Sequence, residues 1–232
     1  MPDKSGRLNV LAKQFNCDLP DGGEFSLLES LLWDGESLFL LDEHLDRLQQ
    51  SANFFAFEVD RPLIELRLRD HCSTLQPKPH KVRLLIDQAG RVTCESMTIQ
   101  PTTLPVICRL ALTPIDSTNR FLYHKTTQRQ VYDQALLAVQ AIDSECRDVL
   151  LWNQRGELTE SCRANIVVEK DGDLLTPPIH CGLLAGTFRA RLLKQGKIRE
   201  KVIHSTELPT VRHVWLINSV RKISPAQVNL EL

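Results

Sequence analysis

Between residues 100 and 105 the chain reads Gln100-Pro101-Thr102-Thr103-Leu104-Pro105, and this run limits the possible folds more than any other. Each proline removes a backbone donor and fixes φ, and the residue before it is pushed out of the helical region. Neither a helix nor a central strand crosses such a run, and it carries no apolar period. It therefore splits the 232 residues into a segment of residues 1–100, a linker of 101–106 and a larger segment of 107–232.

Both segments mix strand-like and helix-like apolar spacing, so two α/β domains are expected. Residues 1–24 end in the turn-rich Leu19-Pro20-Asp21-Gly22-Gly23-Glu24 and read as a loop or fraying arm. Phe25 to Trp33 and Ser37 to Leu40 surround Asp34-Gly35, which predicts a hairpin. Asp42 is the expected N-cap of a helix whose stripe is Leu45, Leu48, Ala52 and Phe55. A second helix starts at Asp60-Arg61-Pro62 and runs toward Cys72, followed by a hairpin of His80 to Asp87 with Arg91 to Ile99. Beyond the linker the pattern predicts a strand at Ile107 to Leu112 and a helix from Thr126 to Ile142. Strands at Asp148 to Trp152, Asn165 to Glu169 and Leu174 to Thr176 follow, then a helix from Gly186 to near Gly196. Strands at Val214 to Asn218 and Ile223 to Val228 close the chain.

Composition removes several classes of function. Apolar residues make up 42% and charged residues 25%, ordinary globular usage that excludes disordered and fibrous chains. The net charge of -1 supplies no drive toward nucleic acid or anionic membrane. Seven dispersed cysteines without a Cys-x-x-Cys pair point to reduced thiols, with no disulfide framework and no metal site. With no apolar run of about 18 residues and no signal core at the N-terminus, a soluble cytoplasmic protein is expected.

Three stretches stand apart from this background. Lys125 lies in Arg120-Phe121-Leu122-Tyr123-His124-Lys125-Thr126-Thr127-Gln128-Arg129, at the entry to the expected helix. A partly desolvated lysine amine loses basicity and attacks carbonyls as a free base, so Lys125 is the candidate Schiff-base lysine. Read blandly, it is a solvated surface residue. Gly182-Leu183-Leu184-Ala185-Gly186-Thr187-Phe188-Arg189 offers helix N–H groups to an anion, but taken alone Gly186 marks only a turn. Glu157-Leu158-Thr159-Glu160-Ser161 places the carboxylate of Glu160 between two strands, where a solvated turn is the plain reading. His44 and Arg47, three apart on the first helix, read equally well as solvated surface.

Taken in order, His44-x-x-Arg47, Lys125-Thr-Thr-x-Arg129, Leu158-Thr-Glu160 with Asn165-Ile166, Gly182-Leu-Leu-x-Gly186-x-x-Arg189 and Asn218-Ser-Val-Arg221 resemble class IV aminotransferases. These are the fold-type IV pyridoxal-phosphate enzymes, and the likeness runs from about Phe25 to the C-terminus. Leu28-Glu29-Ser30 and Leu40 through Leu48 look most like the 4-amino-4-deoxychorismate lyase branch. The resemblance implies a small N-terminal α/β domain, a larger C-terminal domain with a barrel-like sheet, and pyridoxal 5'-phosphate as cofactor.

Carried over by position, it implies that Lys125 forms the Schiff base and shuttles the proton, and that Glu160 pairs with the ring nitrogen. Arg47, the backbone N–H groups of Thr187 and Phe188, and the Ser219 hydroxyl would bind the phosphate. Asn165 would lie near the cofactor, and Ser30 matches a threonine implicated in the lyase reaction. Phe188 stands where some relatives have threonine, and Leu32 where many have arginine. The residues before Phe25 differ from the strand that usually opens the fold.

The implied activity is cleavage of 4-amino-4-deoxychorismate to 4-aminobenzoate and pyruvate, a step of folate biosynthesis. The alternatives are a branched-chain or D-amino-acid transaminase and a cofactor-free partner domain. Expected partners are a small-molecule substrate, a second copy in a homodimer, and a functional link to aminodeoxychorismate synthase.

Overall fold

The structure, a computed structural model, describes residues 23–230. The arm expected over residues 1–24 lies outside them apart from Gly23 and Glu24. Three strands, β1 (Leu27–Trp33), β2 (His80–Ile86) and β3 (Val92–Thr98), form an antiparallel sheet in that order. Along β2 burial alternates, as a strand with one face on a core requires. Two helices, α1 (Leu41–Phe55) and α2 (Arg61–Ser73), cover that face. Leu45, Leu48, Ile64 and Leu68 from the helices meet Leu27, Leu31, Val82 and Leu84 from the sheet in one core.

The hairpin expected at Phe25 to Leu40 does not form, because β1 takes β2 as its partner and meets Leu38 only through a single bridge at Trp33. The cause is local. The Asp34 carboxylate accepts the N–H groups of Glu36 and Ser37 at 2.9 and 2.8 Å, and Leu40 turns into the left-handed region at φ 58°. That turn starts α1 at once and leaves no length for a strand. Leu40, not Asp42, is thus the N-cap, and it makes no side-chain cap; Asp42 sits in the first turn and pairs with Arg61 at 2.7 Å. Asp60 caps α2 as its position predicts, accepting the Leu63 N–H at 3.0 Å.

The rest of the chain builds a second sheet from β4 (Val106–Leu110), β5 (Asp148–Trp152), β6 (Leu158–Ser161), β7 (Asn165–Lys170), β8 (Asp173–Thr176), β9 (Arg199–Glu200), β10 (His213–Asn218) and β11 (Lys222–Asn229). Six of them close into a barrel in the order β10-β11-β4-β5-β6-β7, with β7 returning to β10; β8 and β9 extend outward from β7. Closure leaves those strands without a free edge. Cys108, Leu150, Leu158, Ile166 and Val168 fill the middle, each with no exposed surface.

Two helices flank the barrel, α3 (Gln130–Gln140) and α4 (Thr187–Lys194). The helix expected from Thr126 begins only at Gln130, because residues 125 to 127 are held extended along β1. There the Leu28 N–H donates to the Lys125 carbonyl and the Thr127 N–H to the Ser26 carbonyl, both at 2.9 Å. Among the described residues no helix is long and apolar enough to cross a membrane, and no group of three or more His, Cys, Asp or Glu is placed to hold a metal ion.

Truncating a barrel residue tests this packing. Leu150→Ala empties a site with no exposed surface and is expected to lower unfolding free energy by about 2–5 kcal/mol in a urea titration. A loss below about 1 kcal/mol would mean that the barrel centre is loosely filled.

Candidate active site

A cavity of about 710 Å³ is lined from both sheets, and all eight residues proposed above reach its wall. Its size lies in the range of small-molecule and cofactor sites. Lys125 enters it from the extended segment beside β1, so the lysine stands on a strand-like arm and not at the mouth of a helix. Burial is the main reason that its amine is pushed down to about 8. The charges of Arg47 and Arg129 add to that push, while Glu29 and Glu160 oppose it.

Glu160 lies inside β6, opposite Asn165 of β7, and not in the turn that its neighbours suggested. It is 5% exposed. Three donors serve its carboxylate. Oε1 accepts the Tyr132 hydroxyl at 2.8 Å and the Leu184 N–H at 3.2 Å, and Oε2 accepts the Asn165 amide at 3.1 Å. Burial nevertheless dominates and pushes the carboxyl up to about 7, against those donors and the Lys125 and Arg129 charges. An amine lowered toward neutrality therefore faces the same cavity as an acid raised toward it.

Asn165 also donates to the Leu184 carbonyl at 2.9 Å. This fastens the loop before α4 to the barrel. Gly186 makes that approach possible, since a Cβ there would sit 1.9 Å from Asn165 Oδ1. As the N-cap of α4, Gly186 supplies no side-chain acceptor, so the first-turn N–H groups of Thr187 and Phe188 are left for an anion. The Phe188 ring is turned away into an apolar cluster with Leu40, Val167 and Ile217, which restricts its polar role to the main chain.

Arg47 is buried, contrary to the solvated reading of the first helix. Its Nε and one terminal nitrogen grip the Glu29 carboxylate at 2.9 and 2.6 Å, and the other terminal nitrogen donates to the Ala185 carbonyl at 3.0 Å. His44 Nδ1 meets the same carboxylate at 2.6 Å, and its Nε2 meets the Thr187 hydroxyl at 3.3 Å. Burial alone would raise the Glu29 carboxyl, but Arg47 and His44 outweigh it and hold it down at about 2. Ser219 donates its hydroxyl to the Ser30 carbonyl at 3.2 Å and so joins the end of β10 to β1.

Two residues in this network were given no role from the sequence. Glu29 is a lone carboxylate within Leu27-Leu28-Glu29-Ser30-Leu31-Leu32, and a buried charge in an apolar strand signals a required partner. Tyr132 carries no such signal, since its spacing on α3 looks like ordinary core.

Glu29→Gln leaves the Arg47 guanidinium buried with no counter-charge and is expected to remove about 3–5 kcal/mol of stability. The folded carboxyl near 2 lies below its ordinary 4.5, so its contribution is complete above about pH 4.5 and lost as the pH falls toward 2. Denaturation curves between pH 5 and 2 should therefore be flatter for the glutamine variant; parallel slopes would refute the assignment.

Comparison with known proteins identifies the family. The model of the family described as Amino-transferase class IV matches residues 26–228. A Schizosaccharomyces pombe protein with the provisional name aminodeoxychorismate lyase is 34% identical over 206 residues, covering 86% of this chain and 88% of its own. A crystal structure from Mesorhizobium loti, provisionally named an amino-acid aminotransferase, superposes with a TM-score of 0.81 at 33% identity, covering 88% of this chain and all of that one. The branched-chain amino acid aminotransferase of Escherichia coli shares the fold, with a TM-score of 0.74 at 20% identity over 88% of this chain and 76% of that one. The chain belongs to the class IV aminotransferase family, with the fold of the type IV pyridoxal-phosphate enzymes.

Proposed function

We propose that this chain is a pyridoxal 5'-phosphate enzyme that cleaves 4-amino-4-deoxychorismate to 4-aminobenzoate and pyruvate. The observation that carries the reading is the pairing, in one cavity, of a lysine amine lowered to about 8 with a buried carboxylate raised to about 7. The 34% identity to the S. pombe protein supports the lyase assignment.

The residues present fit the cofactor. Arg47 and the start of α4 form a cationic corner for a phosphate, and Gly186 leaves room for it beside Asn165. Glu160 offers a carboxylate to a ring nitrogen. When bound, pyridoxal 5'-phosphate supplies an electron sink for charge developing on the substrate carbon next to nitrogen.

The chain's own groups would do the rest. Near neutral pH a useful fraction of Lys125 is free base, able to join a carbonyl and then to take a proton from a bound substrate and return it. Arg47, the Thr187 and Phe188 N–H groups and the Ser219 hydroxyl would hold the phosphate, with Asn165 fixing Glu160 and the neighbouring loop. Ser30 would place its hydroxyl toward the departing enolpyruvyl oxygen. We further propose residues 1–100 and 107–232 as the two domains, and a two-fold dimer as the working unit.

A transaminase is the second reading, favoured by the 33% identity to the M. loti structure. It uses the same Lys125, Glu160 and Arg47, with the proton delivered elsewhere.

Borohydride treatment after adding pyridoxal 5'-phosphate should fix a mass adduct on Lys125, and Lys125→Ala should abolish both the adduct and turnover. Because the folded amine ionises near 8, below its ordinary 10.5, adduct formation should climb through pH 8 and level off above it. A climb continuing to pH 10 would contradict a desolvated amine. Release of 4-aminobenzoate from aminodeoxychorismate separates the readings. If none forms while amino groups pass between simple amino acids and keto acids, the enzyme is a transaminase.

A further inference from the structure

Tyr132 has no part in the chemistry above, yet its hydroxyl makes the shortest of the three contacts to Glu160. The residue is 7% exposed and sits in the first turns of α3. The Arg129 guanidinium covers its ring at 4.6 Å from the centroid, and its carbonyl accepts the Cys162 thiol at 3.2 Å. These contacts fix the phenol in place. Its O–H points at Oε1, and an ionised carboxylate is an acceptor only, so the phenol must be the donor.

The two carboxylate oxygens are treated unequally. Oε1 takes the phenol and the Leu184 N–H, whereas Oε2 takes the single amide of Asn165 among the described residues. Oε2 is therefore the oxygen with a lone pair to spare. We propose that Tyr132 is a positioning residue for Glu160, turning the carboxylate so that Oε2 is offered to a protonated ring nitrogen and keeping it ionised for that contact. The role as a partner of the ring nitrogen rests on the cofactor reading above; the effect on ionisation does not.

The physical reason is burial. A buried carboxyl tends to keep its proton, and a charge-assisted hydrogen bond from a neutral donor favours the anion. The charged groups acting on Glu160 are Lys125 and Arg129, both on the segment leading into α3. A filler role would be served equally well by phenylalanine. Without the hydroxyl, Glu160 would hold its proton at neutral pH and meet a ring nitrogen as a donor, favouring the uncharged ring.

The test is a carbon-13 titration of the full-length protein labelled at the glutamate carboxyl carbons, with the Glu160 signal assigned by its loss in Glu160→Gln. In Tyr132→Phe, without added cofactor, the midpoint should rise by at least about one pH unit, a tenfold change in the acid constant. Retention of pyridoxal 5'-phosphate, followed by absorbance, should weaken about tenfold. A midpoint that stays in place in a folded Tyr132→Phe protein overturns the proposal.

The chain has only two tyrosines, and the other, Tyr123, donates to the Ser117 carbonyl. Growth on 3,5-difluorotyrosine in a Tyr123→Phe background therefore puts a more acidic phenol at position 132 alone. The Glu160 midpoint should then fall, and a midpoint that rises or holds overturns the proposal even if Tyr132→Phe does not fold. Failure of the unmodified protein to bind pyridoxal 5'-phosphate would overturn the cofactor reading and leave the titration to decide the ionisation role.

Discussion

A carboxylate with 1% of its surface exposed, Glu29, is the point on which the site is assembled. Buried in a strand, it is tolerable only because Arg47 grips both oxygens and His44 meets one of them. Those contacts fix the azimuth of α1 over the first sheet. They also hold Arg47 so that its remaining nitrogen reaches Ala185, at the start of α4. Through His44 the same carboxylate reaches the Thr187 hydroxyl. One interaction inside the smaller sheet thus sets where the barrel's helix N-terminus lies.

The opposite wall obeys the same physics with the opposite result. Glu29 has the Arg47 guanidinium and the His44 ring as partners and stays far below the usual carboxylate range, whereas Glu160 has neutral donors at contact distance and rises. Two buried glutamates some 130 positions apart are thereby set at opposite ends of the carboxylate range, one held as an anion and one lifted toward neutrality. Lys125 lies within the field of both, and also of Arg47 and Arg129. Its lowered basicity is chiefly a matter of burial, with the two arginines adding to it and the two glutamates opposing it.

Much of this was legible in the residues. The strands at Asp148, Asn165, Asp173, His213 and Lys222, the second helix with its Asp60 cap and the hairpin of β2 and β3 stand where apolar period and turn chemistry put them, whereas β6 and β9 were not foreseen. The residues that meet at the cavity were legible as an ordered set of motifs and as nothing when taken singly. What failed were decisions made by distant contacts. Leu38 lost its strand to the turn that starts α1 at once, while β1 took its partner from β2, more than 40 positions later. Thr126 and Thr127 were drawn out of α3 by pairing with residues about 100 positions earlier. Local propensity has no access to either competitor. The barrel-like sheet followed from the family resemblance, but its closure through β7 and β10 did not follow from the residues, since no short-range pattern encodes which strands meet across a ring.

The anchoring of Lys125 has a mechanical consequence. Its own carbonyl and the neighbouring amide of Thr127 are both stitched to the leading end of β1, so the main chain beneath the amine is as stationary as the sheet. Any travel of the nitrogen must come from rotation about its four methylenes. The lysine works as a crane on a fixed footing, and the volume it can sweep is set before any ligand arrives.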